Sequence, residues 1–153
     1  MVTIAYILLG SNIGDRLANI HHALSLLSTV DDTTIVKQSS IIETQPLEFT
    51  EQPDFLNCVV EVVTGLDAVN VLHHLLDIEN ALGRVRTVAK GPRTIDCDLL
   101  LFGNVVCTTK HLILPHPQIY SRPFVWQLLS EINTNIIDPV SHKLLNEVVA
   151  CHQ

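Results

Sequence analysis

Four basic residues and two aspartates are concentrated in one short part of the chain. Residues 84–93 hold four of the nine Lys and Arg residues, and Asp96 and Asp98 follow them. Arginine binds phosphate oxygens in a bidentate manner, and paired carboxylates offer the hard oxygen ligands that a divalent cation prefers. The spacing therefore favours a site for Mg²⁺ and a polyphosphate. For the basic residues alone a solvated loop is an equal alternative, and for the aspartates a solvated strand end is the weaker alternative.

The two aspartates lie at the start of an apolar segment that predicts a strand over 95–102. Residues two apart on a strand point to the same face, so the carboxylates lie on one side, about 7 Å apart along the chain. Phe55 and Asn57 have the same spacing on another predicted strand. An aromatic ring beside an amide suits a flat heterocycle. A core phenylalanine and a backbone-bonded asparagine are the stronger interpretation of this second pair when it is taken alone.

The remaining sequence predicts the elements that position these residues. Apolar and β-branched runs predict strands over 4–9, 33–43, 55–64 and 95–102, and helical spacing predicts helices over 17–27, 67–82, 123–131 and 144–151. The polar segment 44–54 carries two prolines and predicts a long loop. The order β-α-β-β-α-β is typical of an α+β, ferredoxin-like fold, in which helices pack on one face of an antiparallel sheet.

The composition excludes several classes of protein. With 47% apolar and 16% charged residues, the chain fits a single folded domain over residues 1–153. A formal net charge of −7 excludes the broad basic face that nucleic acid requires. The longest apolar run, 4–9, is too short to cross a membrane, and the first residues lack a signal peptide's basic start, so we expect a cytoplasmic protein. The four cysteines lack CxxC spacing and predict free thiols.

Several blocks of the sequence, taken in order, resemble the 6-hydroxymethyl-7,8-dihydropterin pyrophosphokinase family. The blocks are residues 9–16, 44–47 with 52–57, 83–86, 91–98, and 114–117 with 122–124. The resemblance covers nearly the whole chain, and the Gly-Pro-Arg-Thr-Ile-Asp-x-Asp block is its most specific part. It implies a ferredoxin-like enzyme of folate biosynthesis that transfers pyrophosphate from ATP to the 6-hydroxymethyl group of the dihydropterin and releases AMP.

The resemblance also implies a role for individual residues. It implies catalytic roles for Arg84, Arg86, Arg93, Asp96 and Asp98. Two Mg²⁺ ions would bind Asp96 and Asp98, and the nucleotide would contact Glu79, His116 and Arg122. The pterin would contact Thr44, Gln45, Leu47, Phe55, Asn57 and Phe124. We expect a monomer whose partners are ATP and the dihydropterin.

Two other functions remain open from the residues. A two-metal nucleotidyltransferase would use the same Asp-x-Asp pair but would release pyrophosphate instead of AMP. A regulatory module would bind the nucleotide or the pterin without turnover. The reaction products therefore distinguish the three hypotheses.

Overall fold

A five-stranded antiparallel sheet organises the part of the chain that the computed structural model describes, which is residues 1–46, 51–83 and 94–152. Its strands are β1 (Thr3–Ser11), β2 (Thr33–Gln38), β3 (Ile42–Thr44), β4 (Phe55–Thr64) and β5 (Asp96–Phe102). The order across the sheet is β2-β4-β1-β5. Strand β3 pairs with residues 55–57 of β4, next to the part of β4 that pairs with β2. This order confirms the ferredoxin-like prediction and places β1 between β4 and β5.

Within the described ranges, two helices connect the strands and three more follow them. They are α1 (Arg16–Ser28), α2 (Ala68–Ala81), α3 (Gln118–Ser121), α4 (Pro123–Ile132) and α5 (Leu145–His152). Aspartates cap the first two helices: Asp15 accepts a hydrogen bond from the Ala18 N–H at 3.1 Å, and Asp67 accepts one from the Asn70 N–H at 2.8 Å. A short hairpin of β6 (Cys107–Thr108) and β7 (Ile113–Leu114) stands where the sequence predicted irregular chain.

The single strand predicted over 33–43 is wrong in one respect, because it is two strands, β2 and β3. At the break, the Ser39 N–H donates to the Val59 carbonyl at 2.9 Å, and the Ser39 hydroxyl accepts from the Val59 N–H at 2.8 Å. A serine side chain thus replaces a main-chain partner and bends the chain. Glu131 of α4 then accepts hydrogen bonds from the Ser40 N–H and hydroxyl, both at 2.8 Å. These contacts fix the direction in which β3 continues.

Helices cover both faces of the sheet, whereas one covered face was expected. Leu9, Cys58 and Cys97 belong to the core under α1 and α2. On the other face, Leu8 and Val59 belong to a second core with buried residues of α4 and α5. The strands alternate between two apolar layers, which accounts for their nearly continuous apolar sequences. Among the helices of the described residues, none has the length and apolar character that crossing a bilayer requires.

Candidate active site

One row of residues crosses the three adjacent strands β4, β1 and β5 at the end of the sheet where β1 finishes. Gly10 of β1 is opposite Asn57 of β4 on one side and Asp96 of β5 on the other. Adjacent strands are about 4.8 Å apart, so the amide and the carboxylate start from backbones roughly 10 Å apart with only a glycine between them. Asp98 is opposite Leu8, which confirms that both aspartates lie on the same face of β5. That face is the one covered by α4.

A buried glutamate binds the backbone of β5 between the two aspartates. Asp96 and Asp98 are half-buried, and Cys97 between them is buried. The Cys97 N–H donates to Oε2 of Glu79 at 2.9 Å, and Glu79, on α2, is only 4% exposed. Because β5 is an edge strand, its outward N–H groups lack a neighbouring strand, and the carboxylate of Glu79 replaces one there. This support was not foreseen, and the nucleotide-binding role of Glu79 stays a prediction.

A pocket of about 310 Å³ lies beside Asp98 and is also lined by His116. The His116 N–H donates to the Leu100 carbonyl at 2.9 Å, which holds the segment against β5. Its Nδ1 accepts from the Gln118 N–H at 3.1 Å, so the neutral ring carries its proton on Nε2. A ring in this tautomer can donate to a phosphate oxygen through Nε2. The remaining lining of the pocket is mostly apolar, with Leu72, Leu112, Ile113 and Pro117.

The residues predicted to bind the pterin lie around the start of β4. Thr44 is opposite Phe55, and the Asn57 Nδ2 donates to the Thr44 hydroxyl at 2.5 Å. This bond orients the amide of Asn57, which is 5% exposed. The structure therefore brings together Thr44, Phe55 and Asn57, as a single pterin-binding surface requires.

Arg122 connects this surface to the beginning of α4. Its guanidinium lies 4.6 Å from the centre of the Phe124 ring, and its Nη2 donates to the Gln45 carbonyl at 3.4 Å. Gln45 directly follows Thr44, so the contact places α4 against the end of β3. Phe124 is half-buried there. The nucleotide contact expected of Arg122 and the pterin contacts expected of Gln45 and Phe124 stay predictions.

Four of the predicted site residues lie outside the described residues. They are Leu47, Arg84, Arg86 and Arg93. Their roles follow only from the sequence, and they stay predictions.

Three residues in or next to the β1–α1 turn, namely Gly10 of β1, Asn12 of the turn and Arg16 of α1, contact residues of the candidate site although the sequence did not assign them a role in it. The Asn12 Nδ2, in a side chain that is 1% exposed, donates to Oε1 of Gln52 at 2.7 Å and to the Pro53 carbonyl at 3.0 Å. Gly10 provides the space beside Asn57, and Arg16 contacts the residues on either side of the loop that follows β3. The signal that could have found them is the first resembling block, 9–16, which was interpreted only as a strand-to-helix turn.

Comparisons with known proteins show the family to which the chain belongs. Residues 6–134 match the profile of 7,8-dihydro-6-hydroxymethylpterin-pyrophosphokinase (HPPK). The 2-amino-4-hydroxy-6-hydroxymethyldihydropteridine pyrophosphokinase of Bacillus subtilis is 48% identical over 132 residues, which are 86% of this chain and 79% of that protein. The protein of the same name from Haemophilus influenzae is 38% identical over 149 residues, which are 97% of this chain and 92% of that protein.

A solved structure of an HPPK-DHPS protein in complex with substrates has the same fold. Its TM-score is 0.75 at 15% sequence identity, and the alignment covers 99% of this chain but 44% of that chain. This chain therefore spans less than half the length of that structural neighbour. It likewise spans 20% of the folic acid synthesis protein fol1 of Schizosaccharomyces pombe, to which it is 36% identical. The profile match and the two bacterial relatives place the chain in the HPPK family of pyrophosphokinases.

Proposed function

We propose that this chain transfers the β- and γ-phosphates of ATP, as one group, to the 6-hydroxymethyl oxygen of 6-hydroxymethyl-7,8-dihydropterin. Membership of the HPPK family makes it an ATP-dependent pyrophosphokinase of folate biosynthesis. In this reaction a bond forms between the hydroxymethyl oxygen and Pβ, the bond from Pβ to the oxygen of AMP breaks, and AMP leaves. The observation that supports the proposal is the row of Asn57, Gly10 and Asp96, in which an amide suited to a heterocycle and a carboxylate share one face of the sheet.

The donor set fits Mg²⁺ that arrives with its nucleotide. Within the described ranges, no group of three or more His, Cys, Asp or Glu side chains is placed to hold a metal ion. Asp96 and Asp98 offer two carboxylates on one face of β5, and Mg²⁺ is usually held by one or two carboxylates together with substrate phosphates and water. We propose two ions at this pair. When bound, Mg²⁺ neutralises phosphate charge and lowers the pKa of the attacking hydroxyl.

The residues of the chain contribute to the rate mainly by positioning the two substrates. Phosphoryl-group transfer requires the attacking oxygen and the leaving oxygen to be in line, and geometry and electrostatics supply most of the rate. Asn57 and Thr44 fix the edge of the pterin, and Phe55 supplies a ring face. His116 donates from Nε2 to a phosphate oxygen in the pocket beside Asp98.

The other predicted roles belong to the same proposal. Arg84, Arg86 and Arg93 would bind the phosphates and the developing charge, Leu47 would read the pterin edge through its backbone, and one carboxylate of the aspartate pair would accept the hydroxyl proton. The overall net charge of −7 supports a site whose anionic substrate is held by a few local cations. We also propose a monomer in the cytoplasm, where ATP is abundant.

Nucleotide analysis tests the proposed reaction. The purified chain is incubated with MgATP and the dihydropterin, and the products are separated by ion-exchange chromatography. AMP together with the pterin diphosphate supports the proposal, free pyrophosphate supports a nucleotidyltransferase, and binding without any product supports a regulatory module. Asp98→Asn should lose at least about a hundredfold in rate, since a charged ligand of the proposed Mg²⁺ is removed. Asp77→Asn, at an exposed position on α2, is the matched control.

The number of ions is a separate measurement. Mn²⁺ replaces Mg²⁺ in a titration followed by electron paramagnetic resonance, with a non-hydrolysable ATP analogue and the dihydropterin present. Two ions per chain in the ternary complex support the proposal, and a single ion contradicts it.

A further inference from the structure

We propose that Arg16 is a positioning residue for the pterin, because its side chain binds both the end of β3 and the residue that precedes β4. The inference rests on the proposed function, since it deepens the account of the same site. Arg16 is the first residue of α1. Among the residues that the structure describes, its hydrogen bonds go to Glu43 and Asp54, and neither has a catalytic role assigned above.

One guanidinium nitrogen makes both contacts. The Arg16 Nη1 donates to Oε2 of Glu43 at 2.7 Å and to the Asp54 carbonyl at 2.9 Å. Glu43 lies on β3 directly before Thr44, and Asp54 directly precedes Phe55, the first residue of β4. The two residues next to these contacts, at positions 44 and 55, are themselves opposite each other in the β3–β4 pair. Arg16 therefore binds next to the last residue pair of the β3–β4 ladder.

The turn that carries Arg16 is itself fixed to the same segment. Asn12 donates to Gln52 and to the Pro53 carbonyl, at 2.7 Å and 3.0 Å. Asn19 donates to the Ile13 carbonyl at 3.0 Å, which holds the shape of the turn. The three consecutive residues 52–54 are thus bound to the β1–α1 turn immediately before the strand that presents Phe55 and Asn57.

The consequence is preorganisation of the pterin-binding surface. β3 ends at Thr44 and β4 begins at Phe55, so contacts at these two strand ends determine where the two side chains point. A ligand that binds a surface already held in place does not have to order it, and its affinity is higher for that reason. Without Arg16, the pterin has to order part of this surface when it binds, and its affinity falls.

The same contact contributes little to global stability. The side chains of Arg16 and Glu43 are 30% and 54% exposed, and ion pairs at such exposure stabilise proteins only weakly. A purely structural role would therefore be visible as a small loss of stability and nothing else. A positioning role predicts a change that is specific to one substrate.

The test measures steady-state kinetics and pterin binding for Arg16→Ala. We expect the KM for the pterin to rise about threefold to tenfold, while kcat and the KM for ATP stay within about twofold. The melting temperature should fall by about 3 °C or less. Arg16→Lys keeps a cation near Glu43 and should recover part of the lost pterin affinity. Lys143→Ala, which removes an exposed cation from the turn before α5, is the matched control and should leave all values unchanged.

The possible outcomes separate this inference from the proposed function. An unchanged pterin KM in Arg16→Ala, or an equal rise of both KM values with a large drop in melting temperature, overturns the positioning role. If the wild-type chain forms no AMP, the proposed function fails by itself. In that case calorimetric titration of the pterin into the wild type and Arg16→Ala still decides the inference, because equal dissociation constants reject it and a weaker variant supports it.

Discussion

Replacing Gly10 by alanine should damage the pterin-binding surface without damaging the fold. A Cβ built at Gly10 would stand 2.7 Å from Oδ1 of Asn57 and 3.6 Å from Cδ1 of Phe55. Ordinary contact begins near 3.4 Å, so the amide must retreat by about 0.7 Å. Gly10 is not among the described glycines with positive φ, so an alanine is compatible with its backbone. The glycine is needed for the space beside it and not for its conformational freedom.

The magnitude follows from the bond that the amide makes. Thr44 lies on the opposite side of β4 from Gly10, and its hydroxyl is already 2.5 Å from the Asn57 Nδ2, so the amide has no room to retreat in that direction. It must rotate instead, which breaks this bond and turns the amide away from the pterin. An amide turned away leaves the buried polar edge of the bound pterin without its partner, which costs about 1–3 kcal/mol of binding free energy. Pterin affinity should therefore fall about 5-fold to 150-fold in Gly10→Ala, because each 1.4 kcal/mol is a factor of ten. ATP affinity should be unchanged, since the pocket beside Asp98 is on the other side of β1.

Calorimetry of pterin binding in the presence of a non-hydrolysable ATP analogue measures this effect. Gly65→Ala is the matched control, because a Cβ there would meet its nearest atom at an ordinary 3.5 Å, far from the site. In an Asn57→Ala background the cost of Gly10→Ala should disappear, since the clashing amide is gone. Equal pterin affinity of Gly10→Ala and the wild type would refute the reasoning, as would a cost that persists without the amide.

Three further predictions use other parts of the structure. Glu79→Gln should lower the rate at least about tenfold with little change in pterin affinity, because the bond that supports the Cys97 N–H weakens; an unchanged rate in a continuous AMP assay would contradict this support. Phe124→Ala should weaken pterin binding about tenfold, whereas Phe124→Tyr should not, and calorimetry decides between them. Burial raises the pKa of Cys58 to about 12, so the folded state keeps its proton while the unfolded thiol ionises above about 9. Stability should therefore fall between pH 9 and 12, less so in Cys58→Ala, and pH-dependent urea unfolding that is identical in the two chains would contradict it.

The strands that form the site were largely predictable because their apolar character is continuous. The strand predicted over 55–64 is β4 with the same bounds, and the predicted common face of Asp96 and Asp98 is confirmed by their register with β1. The period of two residues in a strand needs no knowledge of the partner strand. For that reason the sequence located the carboxylates but could not show what lies opposite them.

The contacts that support the site could not be predicted, since they join distant parts of the chain. Glu79 and Cys97 are brought together only by the packing of α2 on β5, and Asn12 meets Gln52 only once the β1–α1 turn folds over the loop. The sequence shows no period or spacing for such pairs. The helix α3 was missed because it has only four residues, too few for helical periodicity to be visible.

The placement of α4 is another property that emerges only in the folded chain. The Tyr6 hydroxyl donates to Oε1 of the buried Glu61 at 2.6 Å and accepts from the Asn133 Nδ2 at 3.2 Å. Burial and the neighbouring carboxylate raise the pKa of Tyr6 to about 12, so the hydroxyl stays a donor. This network fixes the residue after the end of α4 to the centre of the sheet, and α4 begins with the segment that carries Phe124.

Transfer of labelled phosphorus tests the central claim most directly. The chain is incubated with MgATP that is labelled at the β-phosphorus and with 6-hydroxymethyl-7,8-dihydropterin, and the pterin product is isolated. The account predicts that the label moves to the pterin, that unlabelled AMP forms in equal amount, and that Asp98→Asn abolishes both. Label that remains in ADP or is released as free pyrophosphate, or full activity of Asp98→Asn, would contradict the account.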